Sequence, residues 1–228
     1  MEAFKAKKIN QYDYQNRLVF ILKKSKIFFK LLKNVNLIFK KEFLEKVFKK
    51  KNKFAEDINF EIIRLDNSER FENLINNKNI FYSSKEIKWL KWKYNIYLER
   101  KDILIVKVLK KKEIEGFIFL IKNFHKGQNL KRLSIVEIIG FEKNSDYLEG
   151  GLMKCIEIGK KEQLDIIDVI GFKKFKRQII KKVGFISKES KNFNFLIKSD
   201  NSNLNKILFE SNDISDLSVT DGDGIFYY

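Results

Sequence analysis

Apolar residues along the chain follow two patterns, short continuous runs and helical spacing, and these alternate over most of its length. The runs predict strands at residues 59–65, 103–109, 114–124, 133–141, 164–172 and 193–198. Helical spacing, with Ser, Asp or Asn at the expected caps, predicts helices over residues 69–76, from Ser83 or Ser84 through Trp89 to Trp92 or Tyr94, over residues 147–163, and up to Gly184. Strands before, between and after helices predict an α/β fold in which helices flank a mixed β-sheet.

Residues 1–56 differ from the remainder, which divides the chain into a first section (1–56) and a second section (57–228). From Leu18 onward apolar residues recur at helical spacing with lysines between them, which predicts basic amphipathic helices. Two interpretations stay open for this extension. The helices lie on an anionic membrane surface or a protein partner, or they pack on the domain formed by residues 57–228.

The charge is strongly positive, with 47 Lys and Arg against 30 Asp and Glu and a net charge of +17. Lys, Asn, Ile and Phe are frequent and Pro is absent, a bias that AT-rich codons alone would produce. The lysines are therefore interpreted first as a solvated surface, with a patch that binds phosphate or anionic lipid as the alternative. Nucleic acid is the less attractive partner because the aromatic residues fall in predicted strands and helices.

Cysteine and histidine are too scarce for several kinds of site. The single cysteine, Cys155, excludes an internal disulfide, and with the single histidine, His125, it makes a Cys- or His-based metal cluster implausible. Cys155 is expected in the core and His125 in a polar loop. The N-terminus has no signal-peptide pattern and no apolar run reaches the length of a membrane span, so the chain is expected to be cytoplasmic, with peripheral membrane binding through residues 1–56 as the alternative.

One carboxylate stands out in the predicted strands. In the strand at 133–141, period-two alternation places Glu137 on the same face as Leu133, Ile135 and Ile139. A carboxylate in an apolar row is a candidate general base. The alternative is a structural pair with a lysine on a neighbouring strand, or exposure at a sheet edge.

The order of elements, together with three short motifs, resembles the GNAT acyltransferase superfamily over residues 57–228. IIKKVGFI at 179–186 resembles the element that closes the last main helix of GNAT domains. Trp92-Lys93-Tyr94 and Asp221-Gly222-Asp223 resemble the W-R-Y helix and the C-terminal acidic signature of a subgroup associated with surface polysaccharides. Members of that subgroup often have two tandem halves, and residues 1–56 resemble the connector before the second half.

The resemblance implies that acyl-CoA, such as acetyl-CoA, binds where two parallel strands diverge just past Ile139, with its pyrophosphate at the following helix N-terminus. The residues that it implies for the cofactor are Ile139, Phe141, Lys143, Asn144, Ser145, Gly150 and Gly151. The loop at 142–151 also carries Glu142, Asp146 and Glu149, so a plain strand-to-helix turn is the alternative. The tyrosine that often serves as acid in this superfamily is replaced here by Ile180.

The implied activity is transfer of an acyl group from acyl-CoA to an amine, such as an amino sugar of a surface polysaccharide. Glu137 is the expected base, and Trp92, Tyr94, Asp221 and Asp223 are expected to line the acceptor pocket. The alternative is a non-catalytic module of the same fold that docks on a protein partner or an anionic membrane through residues 1–56.

Overall fold

The computed structural model describes residues 7–8, 17–22, 58–63, 94, 102–125, 130–141, 145–169, 171–172, 174–188 and 196–197. The strands within these ranges are β1 (Lys7–Lys8), β2 (Arg17–Ile21), β3 (Ile58–Ile63), β4 (Ile103–Lys110), β5 (Glu113–His125), β6 (Leu130–Gly140), β7 (Ile166–Val169), β8 (Ile186–Lys188) and β9 (Leu196–Ile197). The helices are α1 (Ser145–Lys161) and α2 (Lys174–Val183).

A seven-stranded mixed sheet organises the fold, with strand order β3-β4-β5-β6-β7-β2-β8. Adjacent strands in this sheet are antiparallel except β6 and β7, which are parallel. Helix α1 connects β6 to β7 along the chain. Strands β1 and β9 form a separate two-stranded pair. The expected fold class, an α/β arrangement with helices flanking a mixed sheet, is confirmed.

Helix α1 covers one face of this sheet, hereafter the helix face. Its predicted stripe of Leu152, Cys155, Ile156 and Gly159 is buried, and burying such side chains stabilises the fold by about 1.5–3 kcal/mol for each large one. An added Cβ on Gly151 would lie 2.8 Å from Ile118 Cδ1 and 2.9 Å from Val108 Cγ2. Ile118 and Val108 therefore point toward α1.

The predicted end of α2 is confirmed in detail. Gly184 has φ +113°, and its N–H donates to the carbonyl of Lys181. Phe185 N–H reaches the carbonyl of Ile180. A glycine with positive φ ends a helix in this way, because the two hydrogen bonds satisfy carbonyl groups that have no donor within the helix.

The prediction of a helix beginning at Leu18 is wrong. Residues 17–21 form β2, which lies in the main sheet between β7 and β8. Leu18 and Phe20 join the core while Val19 and Ile21 are half-buried, the alternation of a strand. Residues 18–22 are all apolar, so this short run fits both the helical and the strand period, and pairing with β7 and β8 decided the outcome. The proposed boundary at residue 56 stays a prediction.

A β-bulge in β6 overturns the expected face of Glu137. Phe119 pairs with Glu137, but Leu120 pairs with Ile135, so Val136 is the extra residue. The bulge reverses the alternation, because a one-residue shift moves every later side chain to the opposite face. Leu133 and Ile135 point to the helix face, whereas Glu137 and Ile139 point to the opposite face, hereafter the second face. The prediction that Glu137 shares a face with Leu133 and Ile135 is therefore wrong.

Several predictions lie outside the described residues. They are the helix at 69–76, most of the helix that contains Tyr94, the basic segment at 23–56, and the C-terminal Asp221-Gly222-Asp223. In the part of the chain that the structure describes, no helix combines the length and the apolar character needed to cross a membrane.

Candidate functional site between two diverging strands

The parallel strands β6 and β7 separate before β6 ends. Their pairing runs from Arg132–Ile166 to Ile135–Val169, whereas β6 continues to Gly140. The prediction placed this divergence just past Ile139, whereas in the structure it lies earlier, at the bulge. Because β7 ends where the bulge begins, the C-terminal half of β6 borders a gap among the described residues.

Both strands lead into the same Ile-Gly-Phe sequence, at 139–141 and 170–172, and the Gly-Phe pairs have the same backbone conformation. Gly140 and Phe141 have φ of +84° and +67°, and Gly171 and Phe172 have φ of +93° and +68°. Left-handed values are unfavourable for phenylalanine. Phe141 is held by its N–H, which donates to Glu115 O at 3.1 Å, and by its buried ring, which packs over Gly116. Phe141 thus has a structural role in the turn that leads to α1.

Main-chain groups of Ile138 face the gap. Successive residues of a paired strand direct their N–H and C=O groups to alternate edges. Phe141 N–H bonds Glu115 of β5, and Ile139 pairs with Phe117 of β5, so Ile138 is directed to the other edge. The gap-facing residue is therefore Ile138, whereas the sequence analysis had singled out Ile139.

Two cationic side chains of α2 reach the strand ends that border the gap. Lys176 Nζ donates to Ile138 O at 2.7 Å, and Arg177 Nη1 donates to Gly171 O at 2.9 Å. Both side chains are almost fully buried, at 0% and 1% exposure. Neither residue was predicted as part of the site, because the lysines and arginines of a basic amphipathic helix are expected to be exposed.

Glu137 lies next to the gap on the second face and is 2% exposed. Tyr94 Oη is 3.5 Å from Glu137 Oε2, a long hydrogen bond in which the phenol donates. The Tyr94 ring stacks on Phe119, the cross-strand partner of Glu137, with centroids 6.0 Å apart. The structure thus brings together two residues that the sequence analysis had given separate roles, Glu137 as base and Tyr94 in the acceptor pocket.

A second buried carboxylate lies below the divergence. Asp168 is 0% exposed and accepts a hydrogen bond of 2.6 Å from Ser134 Oγ. Arg17 Nη1 of β2 and Arg132 Nη1 of β6 lie 3.6 and 3.9 Å from Asp168 Oδ2. These ion pairs connect β2 to β6 and β7 at the paired part of the two strands, next to the gap. The apolar run at 164–172 contains Asp165 and Asp168, and nothing in the sequence indicated that Asp168 would be buried.

Helix α1 begins at Ser145, two residues earlier than predicted. Gly150 and Gly151 lie buried inside the helix, so the prediction that counted them in the loop at 142–151 is wrong. Close packing on Ile118 and Val108 accounts for Gly151. Ser145 is half-buried at the helix N-terminus, where unpaired backbone N–H groups and the helix dipole favour an anion.

A lysine of α2 lies close to this N-terminal turn. Lys182 Nζ is 2.6 Å from Glu149 Oε2. The hydrogen bond and the charge of Glu149 raise the pKa of Lys182, with a smaller contribution from the charge of Asp146. The ion pair offsets part of the negative charge that the acidic residues bring to this turn.

Other predicted site residues divide into two groups. Cys155 is buried in the core as expected, and burial raises the pKa of its thiol well above the ordinary value. Lys143, Asn144, Trp92, Asp221 and Asp223 lie outside the described residues, and their roles stay predictions.

Comparison with known proteins gives likeness of fold only. No protein-family model and no curated protein sequence matches this chain. Among solved structures, the chain is similar to a predicted acetyltransferase from Clostridium acetobutylicum, solved with acetyl-CoA, at 12% identity over 63% of this chain and 96% of that one, with a TM-score of 0.45.

It is also similar to an aminoglycoside acetyltransferase from an uncultured soil metagenomic sample, in complex with sisomicin, at 10% identity over 62% and 97% of the two chains, with a TM-score of 0.46. A third is a ribosomal-protein-alanine N-acetyltransferase from Brucella melitensis biovar Abortus 2308, at 7% identity over 62% and 99%, with a TM-score of 0.44. Because each TM-score is below 0.5, none of these likenesses decides what this chain binds.

Proposed function

We propose that this protein is a GNAT-like N-acyltransferase that transfers an acyl group from acyl-CoA to an amine. The observation that carries the proposal is the gap beside β6, with the main chain of Ile138 directed into it and the buried carboxylate of Glu137 next to it. An amino sugar of a surface polysaccharide is the narrower proposal for the acceptor.

The arrangement fits an acyl-CoA substrate in two respects. The extended, amide-containing arm of CoA would lie along the part of β6 that borders the gap, where the N–H of Ile138 is the main-chain donor and the carbonyl of Ile138 accepts from Lys176. The pyrophosphate would lie at the N-terminus of α1, near Ser145, with Lys182 as the cation beside this turn. Gly151 is left out of this site because its packing on the sheet explains it.

Glu137 would then act as the general base. A nucleophilic amine must lose a proton as it attacks the thioester carbonyl, and a carboxylate positioned at the gap would take it. Tyr94 would orient that carboxylate through the 3.5 Å contact to Oε2. The apolar surroundings of Glu137 on the second face would exclude water from the reacting groups.

Binding of the substrate is the first test. In a thermal-shift titration and by calorimetry, acetyl-CoA is expected to bind and to stabilise the protein by about 2.7 kcal/mol at a hundredfold excess over its Kd. No binding at millimolar acetyl-CoA would contradict the proposal and would favour a non-catalytic module of the same fold.

Transfer is the second test, with free CoA release measured across a panel of amines that includes glucosamine and an aminoglycoside. Glu137→Gln is expected to lower kcat by about 10²–10⁴-fold while the Kd for acetyl-CoA is unchanged. Glu157→Gln is the matched control, since Glu157 is exposed on α1 and bonds only Lys154 in the contacts described. Equal kcat in the wild type and Glu137→Gln would remove Glu137 from the mechanism.

A further inference from the structure

The superfamily that the sequence resembles often has a tyrosine acid near the end of the last main helix, and this chain has Ile180 at that position. The departing thiolate would therefore need another proton donor under the proposed function. Ile180 lies on the buried side of α2. Lys176 precedes it by one helical turn, so the two side chains lie on the same side of the helix.

The position of Lys176 satisfies the geometric requirement for such a donor. Its ammonium lies 2.7 Å from the carbonyl of Ile138, the residue whose main chain is directed into the gap. Its side chain is 0% exposed, and its Nζ lies 5.9 Å from the centroid of the Phe172 ring, at the end of the second diverging strand. A cation is thus fixed beside the gap between the two strands, next to the proposed position of the thioester.

We propose that Lys176 is a catalytic residue that protonates the sulfur of the departing CoA, an inference that rests on the proposed function. The amine nitrogen forms a bond to the thioester carbonyl carbon, and Glu137 takes the proton that the nitrogen loses. The carbon–sulfur bond breaks with its electron pair on sulfur, and Lys176 supplies a proton to that sulfur. Proton exchange with solvent then returns Glu137 and Lys176 to their starting states, so the overall reaction gives an amide and a free thiol.

The test uses the full chain with Lys176→Gln, which keeps a polar side chain at this position but carries neither the positive charge nor an acidic proton. Lys181→Gln is the matched control, because Lys181 is an exposed lysine of the same helix. Lys176→Met serves as a second variant if the glutamine disturbs folding, and circular dichroism monitors the fold of each variant.

Lys176→Gln is expected to lower kcat with acetyl-CoA by about 10²-fold or more while the Kd for acetyl-CoA is unchanged. With p-nitrophenyl acetate, whose leaving group needs no proton, the variant and the wild type are expected to react at equal rates. Lys181→Gln should match the wild type with both donors.

A readout independent of turnover is the ionisation of the thiol of bound CoA, followed by the ultraviolet absorbance of the thiolate. An ammonium next to the sulfur stabilises the thiolate. The thiol of CoA bound to the wild type is therefore expected to ionise at lower pH than the thiol of CoA bound to Lys176→Gln.

Three outcomes would overturn the inference while leaving the proposed function intact. They are an unchanged kcat in Lys176→Gln, an equal loss with both acyl donors, and an unchanged thiol ionisation. If the wild type neither binds acetyl-CoA nor transfers its acyl group, the proposed function fails and the role of Lys176 fails with it.

Discussion

Substitution of Leu18 by alanine tests whether β2 is part of the seven-stranded sheet. Leu18 is 0% exposed and lies in β2, paired with Val169 on one side and Ser187 on the other. Leu-to-Ala changes at such sites cost about 2–5 kcal/mol. We expect about 3 kcal/mol, because strands on both sides prevent the cavity from collapsing, and hence a fall in Tm of about 6–12 °C for a chain of this size.

The measurement is urea unfolding followed by far-ultraviolet circular dichroism, with Val19→Ala as the control. Val19 is half-buried and points to the opposite face, so we expect its truncation to cost only about 1 kcal/mol. A basic helix that lies on a membrane or docks loosely would make both changes nearly silent. A loss below about 0.5 kcal/mol for Leu18→Ala would therefore refute the placement of β2 in the sheet.

Three further predictions concern the turn after β6, the cysteine and the ion pair near α1. Gly140→Ala should cost about 2–4 kcal/mol in the same unfolding assay, because φ is +84° and the new Cβ would lie 2.6 Å from Glu115 O; a cost below about 1 kcal/mol would count against this turn. Cys155 should react with Ellman's reagent only after unfolding, because burial raises the pKa of its thiol, and fast reaction of the native protein would contradict its position in the core. Glu149→Gln should lower the pKa of Lys182 toward its ordinary value of 10.5, measured by NMR titration. Since the folded-state pKa is raised, the ion pair stabilises the protein below pH 10.5 and is lost as the pH rises through the folded-state value. An unchanged pKa in the variant would show that Glu149 is not the cause.

The proposed acid and base differ in how far the sequence pointed to them. Glu137 is a carboxylate in a run of apolar residues, and that contrast is visible in the sequence alone. Lys176 is one of many lysines, and its only local distinction from exposed Lys174 and Lys181 is the helical spacing that places it on the side of Ile180. Only the approach of α2 to the end of β6 places its ammonium against the carbonyl of Ile138.

Local sequence patterns were sufficient to predict the strands and helices that have a clear apolar run, a buried stripe or a capping residue. The apolar runs predicted β3, β4, β5 and β6, the stripe at Leu152 and Cys155 predicted the buried side of α1, and Gly184 predicted the end of α2. Periodicity and capping act between residues a few positions apart, so a single sequence can show them.

Tertiary structure decided what depends on pairing between distant segments. The bulge at Val136 turned Glu137 away from Ile135, and the open position between β7 and β8 made residues 17–21 a strand. The continuous apolar run at 18–22 is compatible with either a helix or a strand, so pairing with two neighbouring strands determined its conformation. Register, bulges and strand order are settled by which distant groups satisfy each other's hydrogen bonds and burial, and no local pattern in this chain carries that information.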